Sequence, residues 1–184
     1  MTDKEIQDKL RPLTKSIPKF VPTNRSLLNF VNSKAKGKGI DLSFNKVAFL
    51  NKAEKSTYTC MNVELNEFRR HLQEINTSDE DYNQLFTAAN GEMATAKKQV
   101  EKVYGEVRRY VITSEIRGAC VEKYFKKIPS LDKKQNLLLA KEIFTLAYEE
   151  NMASEEHDIK NILHSFTRIN KIALALFAAV TPAQ

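Results

Sequence analysis

YNQLFTAANGEMATAKKQVEKVYGEVRRYVITS, residues 82–114, decides the fold. Tyr82, Phe86, Ala89, Met93, Ala96, Val100, Val103, Val107, Tyr110 and Ser114 alternate steps of four and three residues. That is the spacing of one apolar face on a long helix, and over about four heptads it predicts a supercoiled helix pair. Gly91, Gly105 and Gly118 fall within this run or its extension, each costing about 1 kcal/mol against Ala. Asn90-Gly91 marks the place where a break or kink is expected.

The same period extends outward in both directions. Upstream, a helix is expected from near Cys60, with Met61, Leu65, Phe68, Leu72 and Ile75 on one face. Ser78 then caps the next helix, and Asp79, Glu80 and Asp81 place negative charge at its positive end. Downstream, a helix over about 114–127 presents Ile116, Cys120, Tyr124 and Phe125 before Pro129 stops it. Ser130 is expected to cap a helix carrying Leu138, Ile143, Phe144 and Ala147, and Ser154 the last one. That last helix ends in IALALFAAV, residues 172–180, which is apolar nearly all round. Such a segment implies burial on several sides, as a central helix or at a subunit interface. No strand signal or fixed repeat competes, so the expected fold is an all-α multi-helix bundle with a long central amphipathic helix.

Ahead of this body lies a basic arm. Residues 1–58 hold 12 Lys/Arg against 5 Asp/Glu, a net of +7, whereas residues 59–184 net −1. The expected organisation is therefore an arm over 1–58 and a helical bundle over 59–184. Thr2 and Glu5 have capping-box spacing, with Ile6, Leu10 and Leu13 following on a short helix that ends near Pro12. IPKFVP, residues 17–22, reads as an extended strap, because the residue before each Pro is pushed out of the α region. Thr23 or Asn24 can cap a helix bearing Leu27, Leu28, Phe30 and Val31. Lys34 to Gly39 is expected to be a loop, and Asp41 to cap a further helix.

Concentrated positive charge points to a polyanion, most often nucleic acid. The candidate binding residues are Lys15, Lys19 and Arg25 around the strap and Lys34, Lys36 and Lys38 in the loop. Phe20, Phe30 and Phe44 are interleaved with them, and aromatics among cations can stack on unpaired bases. On the body, Arg108 and Arg109 are the doublet expected to escape i,i+4 pairing, since Arg grips phosphate bidentately. No base-reading motif occurs, so the expected contact is to the backbone and not to sequence.

Other chemistry lacks its residues. His157 and His164 have no HExxH or Cys/His partners, and His157-Asp158 has no later Asp to complete a phosphohydrolase ligand set. The Asp79-Asp81-Asn83 series would need Gly at position 84 and Glu at position 90 to bind calcium as an EF-hand, and holds Gln84 and Asn90. There is no GxxxxGK[ST], GxGxxG or GxSxG. Glu115 and Glu122, seven apart, are the carboxylates an acid/base site in the bundle would use, but surface placement is the expectation. No enzyme, metal or cofactor is expected. The first ten residues contain no leader-type apolar region, and no run approaches the ~20 residues needed to span a bilayer. An intracellular, self-associating protein with no membrane segment is expected, with Cys60 and Cys120 as buried free thiols.

Two functions fit. The first is a non-catalytic nucleic-acid-backbone-binding protein, coating or nucleocapsid-like, that assembles with copies of itself. The second is a protein–protein adaptor with no nucleic acid, binding through the heptad-like helix and the apolar C-terminal helix.

Overall fold

Thr2 accepts a hydrogen bond from the Glu5 N–H at 3.2 Å while the Glu5 carboxylate accepts from the Thr2 N–H at 3.0 Å. This capping box starts α1 (Asp3–Ser16) in the computed structural model, which describes residues 1–36, 45–75, 77–152 and 159–180. α1 does not stop at Pro12. Leu10 and Leu13 are buried on either side of it, while Pro12 is exposed, so water can take the carbonyl that its missing N–H leaves free. The strap is also shorter than expected. Ile17 is helical (φ −54°, ψ −45°) and a 3₁₀ turn covers Ile17–Lys19, with Pro18 in its first turn where no N–H is needed. Only residues 21–23 remain irregular.

Thr23 and Ser26 exchange hydrogen bonds at 3.1 Å and start α2 (Asn24–Ala35). Lys34 and Ala35 therefore belong to a helix and not to a loop; Lys38 and Asp41 lie outside the described residues. α3 (Lys46–Glu74) begins well before Cys60 and passes through residue 58 without a break. Of its expected apolar face Met61, Phe68 and Leu72 are buried and Leu65 is half-buried, and Ile75 lies exposed past its end.

α4 (Asp79–Val111) starts as expected, with the Ser78 hydroxyl accepting from the Asp81 N–H at 3.3 Å and three acids in its first turn. It runs unbroken through Gly91, around which the space is open, so no close approach requires glycine there. Its buried line is Leu85, Ala89, Met93, Ala96, Val100, Tyr104, Val107 and Val111. These step by four, four and three, an 11-residue repeat near 3.67 residues per turn, which does not demand the left-handed winding of a heptad. The heptad reading drifts off this face at both ends: Phe86 is half-buried and Tyr110 is 54% exposed.

Past Val111 the helix continues through two π turns, Ile112–Ile116 and Cys120–Tyr124, flanking the single-turn α5 (Arg117–Ala119). The Thr113 and Ser114 hydroxyls donate to the carbonyls of Arg109 and Tyr110 at 2.8 and 2.6 Å, partnering groups at the entry to the wider turn. Ile112, Ile116 and Cys120 are thereby all buried. α6 (Lys133–Met152) is capped by Asp132 and not by Ser130, with Asp132 and Gln135 exchanging bonds at 2.8 and 3.0 Å. α7 (Ile159–Val180) packs on α6; Ser154, expected to cap it, lies outside the described residues. Among the described residues every regular element is helical, as an all-α multi-helix bundle requires.

Two compact units divide the chain differently from an arm and a body. The first takes Met1–Lys34 and Leu50–Val107, the second Ala35–Phe49 and Arg108–Gln184. In the first, Leu10, Leu13, Leu27 and Val31 are buried, so the N-terminal helices carry core residues. In the second, a Lys46–Glu115 ion pair closes at 2.6 Å, with Lys46 buried and Glu115 half-buried. Glu115 is thus held by a cation, while Glu122 is exposed. Buried Asn170 accepts from the Lys126 N–H at 2.9 Å, and Asn151 bridges α6 to Ser165 of α7 at 3.1 Å.

The expectation for 172–180 is resolved against a central helix. Ile162, Phe166 and Asn170 of α7 are buried, but Ile172, Leu176 and Val180 are 49, 62 and 75% exposed. The step from Asn170 to Ile172 is two residues, so Ile172, Leu176 and Val180, four apart, form an exposed apolar stripe of their own, turned by about 80° from the buried line of Ile162, Phe166 and Asn170.

Candidate nucleic-acid interface

In the first unit the turn after α1, together with α2, α3 and α4, encloses an open cleft of about 370 Å³. Its walls include Lys19, Phe20, Phe30, Thr57, Cys60 and Tyr104. The short 3₁₀ turn places Phe20 at this wall where an extended strap would have carried it onward. Phe30 stands one helical step off the buried line of Leu27 and Val31 and is 46% exposed. Tyr104, from the buried face of α4, forms part of the wall, its hydroxyl 3.4 Å from the Thr57 hydroxyl.

Each cleft phenylalanine carries a lysine. Lys19 Nζ lies 5.0 Å from the Phe20 ring centroid and Lys34 Nζ 5.6 Å from that of Phe30. At exposed sites such contacts contribute only about 0.5–1 kcal/mol. Lys19 also lies 3.6 Å from Glu64, a surface pair of similarly small worth. Both ammonium groups can therefore be drawn to a phosphate at little cost. Lys97 repeats the arrangement over Tyr58 at 5.1 Å on the same unit, a pairing the sequence reading did not single out. This pairing of a Lys with a half-buried aromatic is only visible once α3 and α4 are placed, since Tyr58 and Lys97 are 39 positions apart.

The remaining candidates are dispersed. Lys15, in the last turn of α1, and Arg25, in the first turn of α2, are exposed on the first unit. Lys36 is exposed in a turn assigned to the second unit, and Lys38 and Phe44 lie outside the described residues. Arg109 is exposed, but Arg108 is half-buried and already engaged, so the doublet does not present two free guanidinium groups.

The two thiols differ. Cys60 is exposed at the cleft wall, against the expectation of burial, because it sits one residue, or about 100°, from the core-facing Met61 on α3. Cys120 is buried, and desolvation pushes its thiol up to about 11 from 9. At neutral pH, Cys60 is expected to react with a maleimide while Cys120 reacts only after unfolding. The folded thiol holds its proton to higher pH than the unfolded one, so its stabilising contribution is whole below pH 9 and is lost as the pH rises to 11. At ~1.4 kcal/mol per pKa unit, about 2–3 kcal/mol of the difference between wild type and Cys120→Ala should vanish across that window in denaturant titrations.

Among the described residues no group of three or more His, Cys, Asp or Glu can hold a metal ion, and no helix is long and apolar enough to cross a membrane. No protein-family model, curated protein or solved structure matches this chain.

Proposed function

We propose that this protein is a non-catalytic binder of nucleic-acid backbone, coating its ligand together with copies of itself and working from the helices of its N-terminal third. The observation that carries this reading is the pairing of Lys19 with Phe20 and of Lys34 with Phe30, two phenylalanines that line one cleft. Cations for phosphate and flat rings for bases are the two components of sequence-tolerant single-strand binding. Lys15 and Arg25 add charge on the same unit. The test is fluorescence anisotropy of labelled single-stranded RNA and duplex DNA across a salt series, with light scattering on the same samples. Contact with about 6 phosphates gives a log–log slope of roughly −4 to −5 for single strands. Growth into large particles accompanies binding if copies coat the strand; absence of binding at low salt refutes the reading.

A second reading, a protein–protein adaptor, is favoured by one observation: the exposed Ile172, Leu176 and Val180 of α7. The heptad-like face of α4 does not serve it, because that helix turns its Leu85–Val111 line into the chain's own core. Removing residues 1–39 does not separate the two readings, since Leu10, Leu13, Leu27 and Val31 are core residues. Surface substitutions do. Leu176→Lys abolishes partner capture if the adaptor reading holds and spares RNA binding if the first holds.

A further inference from the structure

The apolar stripe on the second half of α7 has the pattern of a surface that fits itself. We infer that it is the seam between two copies of this chain, in which the last turns of α7 pair antiparallel across a two-fold axis at Leu176. Early in α7, Asn151 of α6 donates to the Ser165 hydroxyl at 3.1 Å and Arg168 pairs with Glu150. Ile172, Ala175, Leu176 and Ala179 continue from Ser165 and Arg168 in steps of three and four, so they share the side of α7 that meets α6. All four are exposed, as is Val180. The packed face inside the chain thus runs on as a bare one, and Ala175 and Ala179 beside Leu176 let a second helix come close.

Charge selects the occupant. Residues 172–180 contain no charged side chain, so a nucleic-acid strand, an anionic membrane or a charged peptide finds no complement there. The last turn of α7 has no cation to meet the partial negative charge of its C-terminal carbonyls, while exposed Lys171 borders the stripe at its other end. In an antiparallel pair centred on Leu176, residue 172 of one copy faces residue 180 of the other, and each Lys171 reaches the end of the partner's α7. Each copy then supplies the cation that the other helix end lacks, which a parallel pair would not do. The seam is small: residues 172–180 make about 13 Å of helix roughly 10 Å wide, a footprint far below the ~800 Å² per partner of a standard interface. The free pair is therefore weak, with a dissociation constant on the order of 100 µM. It closes chiefly between copies already held side by side on one strand, a consequence that rests on the backbone-binding reading above.

The experiment uses the full chain with Cys60→Ser, which leaves only the buried thiol of Cys120. Ile172→Cys, Val180→Cys or Ala178→Cys is then added; all three positions are exposed, so the fold is kept. Ala178 lies two residues, or about 200°, from Leu176 and so off the seam. With no nucleic acid present, a short bismaleimide should join Ile172→Cys to a size-tagged Val180→Cys several-fold faster than it joins either to its own kind or Ala178→Cys to itself. Adding Leu176→Lys to both copies should remove that excess. On a long single strand Leu176→Lys should lower the apparent affinity about tenfold, while a strand that holds one copy is bound as before. Joining at 172 and 180 no faster than at 178, or 172 joined mainly to 172, overturns the antiparallel seam whatever the strands show. Absence of strand binding at low salt, with 172 still joined to 180, overturns the backbone-binding reading and leaves the seam standing.

Discussion

Changing Lys15, Lys19, Arg25 and Lys34 together to Glu is expected to lower single-strand affinity by a hundredfold or more near 0.1 M salt. The reasoning is electrostatic. Each phosphate neutralised by a cation releases condensed counterion, contributing about 0.7 to the log–log slope on a single strand, so losing four contacts flattens the slope by roughly 3. Between molar and 0.1 M salt that difference is itself nearly three decades of affinity. Reversal adds repulsion to the loss. None of the four residues is buried, so the fold should persist, and circular dichroism of the variant provides that control. The same substitutions in pairs divide the effect: Lys19 and Lys34, over the two cleft phenylalanines, should account for most of any preference for strands with bases. Lys15 and Arg25 should contribute charge alone. An unchanged slope in the fourfold variant would place the polyanion contact elsewhere on the chain.

The second large effect concerns stability. Asn136 is buried where α6 begins, and its amide closes the connection from the second π turn. Its Oδ1 accepts from the Ile128 N–H at 2.8 Å, and its Nδ2 donates to the carbonyls of Ile128 and Leu131 at 3.2 and 3.0 Å. With a third bond from Nδ2 to the Asp132 carbonyl at 3.1 Å, a single side chain thus satisfies one donor and three acceptors of a segment that has no regular ladder of its own. Asn136→Leu leaves the Ile128 N–H orphaned, at about 1–3 kcal/mol, and removes the bonds to the three carbonyls, for a total near 3 kcal/mol. Asn136→Asp keeps the acceptor but turns a second oxygen toward the same carbonyls, and should cost at least as much. At about 2–4 °C per kcal/mol for a chain of this size, either variant should melt roughly 6–12 °C lower. Its amide exchange should accelerate first at Ile128.

How much of this was legible beforehand follows from which forces act locally. The caps at Thr2, Thr23 and Ser78 are decided within four residues, and all three appear where their spacing places them. The all-α architecture follows from apolar periodicity. The 11-residue line of α4 was hidden by a choice between neighbours: Leu85 for Phe86 and Tyr104 for Val103 convert a heptad into a hendecad. That choice belongs to tertiary packing. Pro12 and the proline strap were misjudged for the same reason, since buried Leu10 and Leu13 hold α1 together against a local penalty. Of the candidate site, the Lys–Phe interleaving was readable as composition. Its convergence on one cleft was not, because the opposite wall comes from Thr57, Cys60 and Tyr104, dozens of positions away. The helices that carry the N-terminal cations also carry the core residues Leu10, Leu13, Leu27 and Val31, which charge counting alone does not reveal.

The account stands or falls on where a strand touches this chain. Ultraviolet crosslinking of a uridine-containing oligonucleotide, followed by mass spectrometry of the digested protein, reads that position directly. The account predicts crosslinks within residues 15–34 and on α3 near Cys60, with none on α6 or α7. Crosslinks concentrated on α6 and α7, with residues 15–34 unmarked, would contradict it.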